Sequence, residues 1–404
     1  MHHISPYKAL LLLIPCAMFH ALGMDILASG VPTMMHELQT DAESIQYILV
    51  FFMLGTGVGQ PFVGLFCDKF GRRKTMIAST ILFILTSLLA ARAETVASLS
   101  LLRFLEGLGA CGTLVATFAI ANDSFSGRAS YRMFSLIGGS LALTPMLAPM
   151  LGVGLMHFFG YWQACFYFLA IFGAVALYFS YRSLPETRPD DTIVPTLKNF
   201  MGNYLIIAKK KIFIAYTLAA TLALAQLYLY FSVGNILLIN ELGLSGFDFA
   251  LIFALNALVF LAGNAYSTIL QKTMSAYSIV MIGAMLIALG SLTMMTLLKV
   301  SHMTAAGIIV PNGLMTLGVG LMIGPATGAA LQPFKQLAGA AAGLFATFQY
   351  SGAALIGFVA TRFGVKSSAI IATPLLITAC VTIITLLLIK SSLEDNEITE
   401  PTPG

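Results

Sequence analysis

The chain has 404 residues, of which 58% are apolar and only 9% are charged, and its net charge is +4. Its mean hydropathy is +0.90. This composition excludes a soluble protein, because a single core stops growing near ~300 residues and cannot bury so much apolar surface. Metalloprotease, serine-hydrolase and phosphate-loop motifs are absent, so we do not expect an enzyme. The five scattered cysteines indicate no disulfide framework and no metal site.

Apolar segments long enough to cross a bilayer follow one another along the whole chain. We predict helices, because lipid admits only helices or closed barrels, and continuous runs differ from the short alternating strands of a barrel. The first run is too long for a cleavable signal and has no cleavage site. The twelve predicted spans lie near 9–31, 44–66, 75–91, 98–121, 132–156, 162–181, 212–236, 249–269, 279–298, 304–328, 339–361 and 369–389. The predicted fold is therefore an all-α membrane protein.

The distribution of Lys and Arg predicts the orientation of these spans. Sixteen of these residues fall on the side that holds both ends of the chain, and four fall on the other side. Positive charge accumulates on the cytoplasmic side of a membrane protein. We therefore expect both termini in the cytoplasm and the protein in the cytoplasmic (inner) membrane.

A polar break at 182–211 contains three prolines and a cluster of charge, and it separates two groups of six spans. A Phe-Gly pair closes both span 5 (Phe159-Gly160) and span 11 (Phe363-Gly364), which indicates a duplication. Two six-helix repeats are a common plan for secondary transporters. The predicted domains are a first half at 1–182, a cytoplasmic linker at 183–211, a second half at 212–390 and a cytoplasmic tail at 391–404.

Three charged residues lie well inside predicted spans: Asp25 in span 1, and Arg103 and Glu106 in span 4. At ~1.5 Å per residue, all three fall at similar depth. Arg103 and Glu106 share one helix face. Charge at the bilayer centre costs at least ~2.5 kcal/mol and usually marks function. We predict a triad in which Arg103 is shared between the two acids, with proton coupling at Asp25, Glu106 and Arg103. A purely structural ion pair remains the alternative.

The loop between spans 2 and 3 reads Gly64-x-x-x-Asp68-x-x-Gly71-Arg72-Arg73-Lys74. Gly64 is expected to let two helices approach closely, and Gly71 to permit a turn that other residues resist. Asp68 can cap the loop while the basic residues anchor it at the lipid headgroups. The spacing resembles the signature loop of the major facilitator superfamily.

Further motifs narrow this resemblance. Span 4 carries Leu102-Arg103-Phe104-Leu105-Glu106-Gly107-x-Gly109, similar to the arginine-and-glycine motif of the family, which usually has Gln in place of Glu106. Gly23-Met24-Asp25-Ile26 followed by Pro32 resembles drug:proton antiporters of the bicyclomycin/chloramphenicol-resistance and multidrug-facilitator type. The glycine/proline motif of exporters is matched in span 5 by Gly138, Gly139, Pro145, Pro149 and Gly152.

The resemblance implies that Asp68, Arg72 and Asp123 form a charge cluster on the cytoplasmic side that latches the outward-open state, with Gly64 and Gly71 shaping the loop. The equivalent loop of the second half, around Gln271-Lys272, has lost this pattern. Spans 7–12 contain no embedded acid, so proton coupling is expected in the first half.

Other polar residues in the spans are candidates for lining a substrate cavity or for bridging helices. They are His20, Gln226, Tyr230, Asn312, Gln349 and Tyr350. His20 and Asp25 are five residues apart and so are expected to face different ways. Gln226 shares a face with Tyr230, and Asn312 shares one with Thr316.

These features predict a twelve-helix major facilitator that exports small, partly apolar compounds by alternating access. A proton gradient drives it, with no cofactor and no metal. A dedicated metabolite or siderophore transporter of the same fold is the alternative, and a non-transporting receptor or assembly factor is a remote one. We expect a monomer whose partners are its small-molecule substrate, protons and the bilayer, without nucleic acid.

Overall fold

The architecture is that of a chain of long helices, seen in a computed structural model that describes residues 6–41, 43–125, 127–189, 197–300, 304–361 and 369–397. The helices are α1 Pro6–Asp25, α2 Val31–Glu37, α3 Tyr47–Phe70, α4 Arg72–Ala90, α5 Val96–Ser124, α6 Gly127–Phe159, α7 Gln163–Ser183, α8 Leu197–Ala208, α9 Lys211–Asn235, α10 Gly246–Leu270, α11 Ala276–Val300, α12 Ala305–Leu331, α13 Ala338–Thr361 and α14 Ala369–Glu397. Short 3-10 turns cover Ala28–Gly30, Ser44–Gln46 and Gln332–Leu337, and a π-helical turn covers Ile236–Glu241. Every described element is helical.

Each of the twelve predicted spans overlaps one long helix. Among the described residues, eleven helices are long and apolar enough to cross a membrane, and Leu147–Phe159 is a shorter apolar stretch within α6. The prediction of an all-α, twelve-helix membrane protein is confirmed. The repeat signal at Phe363-Gly364 lies outside the described residues.

Two boundaries differ from the sequence prediction. The first span was expected to run to residue 31, but α1 ends at Asp25 and is followed by a 3-10 turn and the short helix α2. The predicted linker at 183–211 contains the helix α8, which the proline content of the segment did not suggest. The first difference matters for function, because it puts Asp25 at the end of a helix.

The chain forms two compact units. The first comprises Met1–Thr196, Phe231–Leu258 and Gly357–Lys366, and the second comprises Leu197–Tyr230, Val259–Ile356 and Ser367–Gly404. Helix α9 thus contributes to both units, since residues 197–230 belong to one and residues 231–258 to the other.

Helices α3 and α5 cross at very short range in the first unit. A Cβ atom at Gly55 of α3 would collide with the carbonyl of Phe104, and a Cβ at Gly107 of α5 would collide with the carbonyl of Phe52. Small residues permit this close approach. The crossing brings the faces that carry Phe52 and Arg103 together.

Local sequence explains where α5 begins. Thr95 has extended backbone angles, and its hydroxyl accepts a hydrogen bond of 3.1 Å from the amide of Ser98. A threonine in this position satisfies one of the free N–H groups of the first turn. From this start, Arg103 lies two turns into the helix, and its side chain has no exposed surface.

Candidate functional site

Arg103 and Glu106 form a fully buried ion pair on α5. Arg103 Nη1 lies 2.6 Å from Glu106 Oε2, and neither side chain is exposed to solvent. The other carboxylate oxygen, Oε1, accepts a hydrogen bond of 2.6 Å from the hydroxyl of Ser87 on α4. Both oxygens of Glu106 are therefore bonded.

The remaining donors of Arg103 bind main-chain carbonyls of neighbouring helices. Nη2 donates to Gly23 of α1 at 2.8 Å, and Nε donates to Ile48 of α3 at 3.4 Å. The guanidinium also lies 4.1 Å from the centre of the Phe52 ring, a cation–π contact. Arg103 thus joins α1, α3 and α5.

The predicted sharing of Arg103 between Asp25 and Glu106 is wrong in this conformation. Helix α1 ends at Asp25, so the carbonyl of Gly23 lies in the last turn and has no acceptor role within the helix. Arg103 takes this carbonyl instead of the Asp25 carboxylate. A cation at a helix C-terminus is also favourable to the helix dipole.

Asp25 is buried, with 6% of its surface exposed. Within the described part of the chain, its carboxyl group makes no hydrogen bond and no ion pair. An unpaired acid at the negative end of a helix dipole is unfavourable when charged. The structure therefore distinguishes the two embedded acids: Glu106 is fully bonded, and Asp25 is not.

His20 packs beside this cluster in the first unit. Its ring stacks on Phe52 at 5.8 Å between centroids, and its Nδ1 lies 3.4 Å from the hydroxyl of Thr56. The side chain is 9% exposed. In this conformation His20 is a packing residue of α1 and α3, and a cavity role for it stays a prediction.

The predicted charge cluster of the loop between α3 and α4 assembles around Arg72. Arg72 Nη1 lies 2.9 Å from Asp68 Oδ1, and Nε lies 2.8 Å from Asp123 Oδ2 at the end of α5. Nη1 also donates to the carbonyl of Cys67 at 2.8 Å. Gly71 has φ +103°, a conformation that favours glycine. The bond from Arg72 to Asp123 joins residues that are 51 positions apart in the sequence.

The expected close helix contact at Gly64 is wrong. A Cβ atom there would have no described neighbour within 4 Å. Gly64 lies on a face of α3 that no described residue approaches closely. Of the two loop glycines, only Gly71 has a backbone conformation that explains it.

Two further residues bind this loop and were not predicted. Glu186 Oε1 accepts hydrogen bonds from the amides of Arg72 at 2.8 Å, and of Thr187 and Arg188 at 3.1 Å each. Arg188 Nη1 donates to the carbonyls of Asp68 at 3.2 Å and Lys69 at 3.0 Å. We call Glu186 and Arg188 the linker clasp.

The linker clasp caps both helices at the turn. Its acid binds the first amide of α4 and its base binds the last carbonyls of α3, each at the helix end whose dipole it complements. A Cβ at Gly71 would collide with the Glu186 carboxylate, so the close contact with Glu186 as well as the backbone conformation requires glycine at this position. Glu186 directly follows Leu184-Pro185 after the end of α7, and nothing in that sequence predicts the contact.

The exporter motif packs against the helix break that follows Asp25. A Cβ at Gly152 of α6 would collide with the carbonyl of Ile26, and Cys165 Sγ lies 3.9 Å from the same carbonyl. Pro149 is buried one turn earlier in α6. Gly138, Gly139 and Pro145 lie in the same helix, at positions whose surroundings fall outside the description.

The candidate cavity residues of the second unit bridge helices. Gln226 Nε2 of α9 donates to Asn312 Oδ1 of α12 at 2.8 Å and lies 3.3 Å from the hydroxyl of Thr316. Gln349 Nε2 of α13 donates to the carbonyl of Ala220 at 3.4 Å. Tyr230 is buried and Tyr350 is half-buried. The structure thus brings Gln226 and Asn312 together.

A family model described as Major Facilitator Superfamily matches residues 13–357. The chain belongs to the major facilitator superfamily. It is therefore a transporter and a multi-pass protein of the inner membrane, and the predicted family resemblance is confirmed.

Individual relatives agree with this membership. The chain is 28% identical over 353 residues to a chloramphenicol resistance protein of Pseudomonas aeruginosa, covering 87% of this chain and 82% of that one. It is 26% identical over 377 residues to a bicyclomycin resistance protein homolog of Haemophilus influenzae, covering 91% and 92%. The xylose transporter XylE from E. coli, in a partially occluded inward open conformation, has the same fold, with a TM-score of 0.73, 12% identity and coverage of 96% and 97%.

Proposed function

We propose that this transporter exports small, partly apolar compounds in exchange for protons, by alternating access. One observation carries the proposal: Asp25 is a buried carboxyl group that makes no bond to another described residue, at a helix end inside the transport fold. Such a group can change its proton occupancy when its surroundings change. The Pseudomonas and Haemophilus relatives are named for resistance to antibiotics, which favours export of compounds of that kind.

Asp25 is the proposed proton carrier, and the Arg103–Glu106 pair is proposed to hold the helices around it. Protonation of Glu106 has to weaken its bonds to Arg103 and Ser87, which are both 2.6 Å long. Asp25 has no such bonds to break. Protons and cargo are exchanged if protonation of Asp25 and binding of cargo favour different conformations of the transporter. Each ligand shifts the conformational equilibrium toward the conformation that it binds more tightly.

The cluster of Asp68, Arg72 and Asp123 is proposed as a gating latch on the side that faces the cytoplasm. Its support is the two ion pairs that Arg72 makes, with Asp68 on α3 and with Asp123 on α5. The linker clasp, which binds the same loop, supports it further. The latch then governs conformational change and does not contact cargo. The orientation itself rests on the distribution of Lys and Arg.

Cargo recognition is proposed to involve the polar residues of the second half, above all Gln226, whose Oε1 is buried without a described partner. The two-half organisation with a linker near 183–211, the monomeric state and a proton gradient as the sole driving force, without a cofactor, belong to the same proposal.

Transport in reconstituted vesicles tests the proposal directly. Purified protein is placed in lipid vesicles with an imposed pH gradient and supplied with chloramphenicol and a panel of cationic, neutral and zwitterionic compounds. We expect uphill movement of at least one compound, abolished by a protonophore and by Asp25→Asn. Downhill movement alone, or the same rate with and without the gradient, would contradict proton coupling.

A further inference from the structure

The segment that follows Asp25 is held from several sides. Its carbonyl at Leu27 accepts a local bond of 2.9 Å from Gly30, and its carbonyl at Ile26 faces Gly152 and Cys165. The carbonyl of Ala28, three residues after Asp25, accepts a bond of 2.8 Å from the side chain of Asn235. This last bond comes from 207 positions away.

Asn235 is an unusual residue for its position. It is the last residue of α9, it has no exposed surface, and a π-helical turn follows it directly. Its Oδ1 is buried without a described hydrogen-bond partner. Burial of that oxygen costs free energy, and the bond to Ala28, which an apolar residue cannot make, offsets this cost. The bond to Ala28 therefore accounts for an asparagine here.

The bond lies in the part of α9 that belongs to the first unit. Residues 231–258 cluster with Met1–Thr196, and the π-helical turn Ile236–Glu241 contacts α2 in that unit. Alternating access moves one half of a transporter against the other around the binding site. If this end opens by separation of the last turn of α9 from the segment after α1, the hydrogen bond between Asn235 and Ala28 has to break.

We infer that Asn235 is a positioning residue that holds this end of the transporter closed over Asp25. The inference rests on the proposed function of Asp25 for its coupling to protons. In the closed state, the amide of Asn235 fixes the turn beside Asp25, which is then 6% exposed. Release of the amide frees the turn and admits protons to the acid. Asn235 acts through Ala28 and touches neither cargo nor proton.

The closed state is measured with a reporter cysteine at Leu237, which is fully buried in the π-helical turn. Leu237→Cys is made with Cys380→Ser, because Cys380 is exposed. Labelling by a membrane-impermeant maleimide from outside the cell then reports opening. Asn235→Leu removes the donor while roughly keeping the volume, and Asn235→Ala is the second variant in case the first folds poorly.

We expect both Asn235 variants to raise the labelling rate by about two- to ten-fold, the factor that corresponds to the net strength of one hydrogen bond. Ser267→Ala is the matched control, because it also removes a buried side chain that donates to a main-chain carbonyl, that of Leu321 at 2.7 Å, in the second unit. Its labelling rate should stay at the parent level. Labelling of both Asn235 variants at the parent rate, or an equal rise with Ser267→Ala, would overturn the inference.

The pH profile of transport gives a readout that a merely structural role would not change. If protons bind only when this end is open, a larger open fraction raises the apparent proton affinity in proportion. The midpoint on the external side should therefore move upward by about 0.3–1 pH unit in the Asn235 variants. Faster labelling with an unmoved midpoint would support the closing role of Asn235 and reject Asp25 as the proton site, so the two failures are distinguishable.

Discussion

Arg103 and Glu106 lie three residues apart on α5, and their charged groups meet at 2.6 Å without any exposed surface. Arg103 also reaches the carbonyls of Gly23 on α1 and Ile48 on α3, and Glu106 also accepts from Ser87 on α4. Four helices are therefore joined by one ion pair. A pair so fully bonded is suited to fixing helices in place, and this leaves Asp25 as the acid that is free to change.

Arg103→Ala should strongly destabilise the transporter, because it leaves the Glu106 carboxylate buried without its partner. Breaking a buried pair from one side typically costs ~3–5 kcal/mol. We expect a lower melting temperature in detergent and little transport. Arg103→Lys keeps the charge but loses the planar fork that serves several acceptors, so its effect should be intermediate. Normal melting and transport by Arg103→Ala would reject the structural role of the pair.

The Arg103–Glu106 pair could be predicted from the sequence, but the end of helix α1 at Asp25 could not. Two residues three apart on a helix must share a face, so Arg103 and Glu106 meet by helical geometry alone. The end of α1 at Asp25 has no such signal, because Ile26 and Leu27 are ordinary helix residues rather than glycine or proline. Tertiary contacts to the carbonyls of this segment decide where the helix ends.

The long helices could also be predicted from local sequence. The thickness of the bilayer sets how many consecutive apolar residues a membrane-spanning helix needs. The bonds of Glu186 to Arg72 and of Asn235 to Ala28 join residues 114 and 207 positions apart. Each joins a side chain to a main-chain group, and main-chain groups are the same at every position. No periodicity or spacing in one sequence can identify such partners.

Gly152→Val should impair transport, because the new side chain collides with the carbonyl of Ile26 beside Asp25. Gly154→Val is the matched control, since a Cβ atom at Gly154 of the same helix has no described neighbour within 4 Å. Transport and protein yield are compared for the two variants in the same vesicle assay. Equal loss in both would show that α6 tolerates no bulk in this region and that the contact with Ile26 is not the cause.

Asp68→Asn should slow the transport cycle while leaving cargo affinity within a few fold. The change removes the charge that Arg72 meets at 2.9 Å, but it touches none of the proposed cargo residues. Cargo binding in detergent and turnover in vesicles separate the two effects. A variant that lost affinity and kept its turnover at saturating cargo would contradict the latch.

Glu186→Ala should loosen the start of α4, because the amide of Arg72 loses its acceptor. Loss of a side-chain cap typically costs ~0.5–2 kcal/mol of helix stability. Hydrogen–deuterium exchange of the peptide that covers residues 71–75 should become faster, and turnover should fall. Glu186→Gln, which keeps an acceptor and loses the charge, should exchange more slowly than Glu186→Ala. No difference in exchange between wild type and Glu186→Ala would mean that the linker clasp does not hold the loop in solution.

Asp25→Asn should stop transport that a pH gradient drives, because the amide cannot take up or release the proton. Asn is nearly the same size as Asp, and in this conformation the carboxyl group makes no described bond that the change would break. The variant should therefore fold normally and bind cargo with an affinity that no longer depends on pH. Glu106→Gln should keep at least partial activity, because an amide oxygen can still accept from Arg103 and Ser87. Cargo accumulation against its gradient and pH-dependent cargo binding are measured for both variants and for the double variant. Uphill transport by Asp25→Asn but not by Glu106→Gln would move the proton site to Glu106, and uphill transport by the double variant would refute proton exchange through these acids.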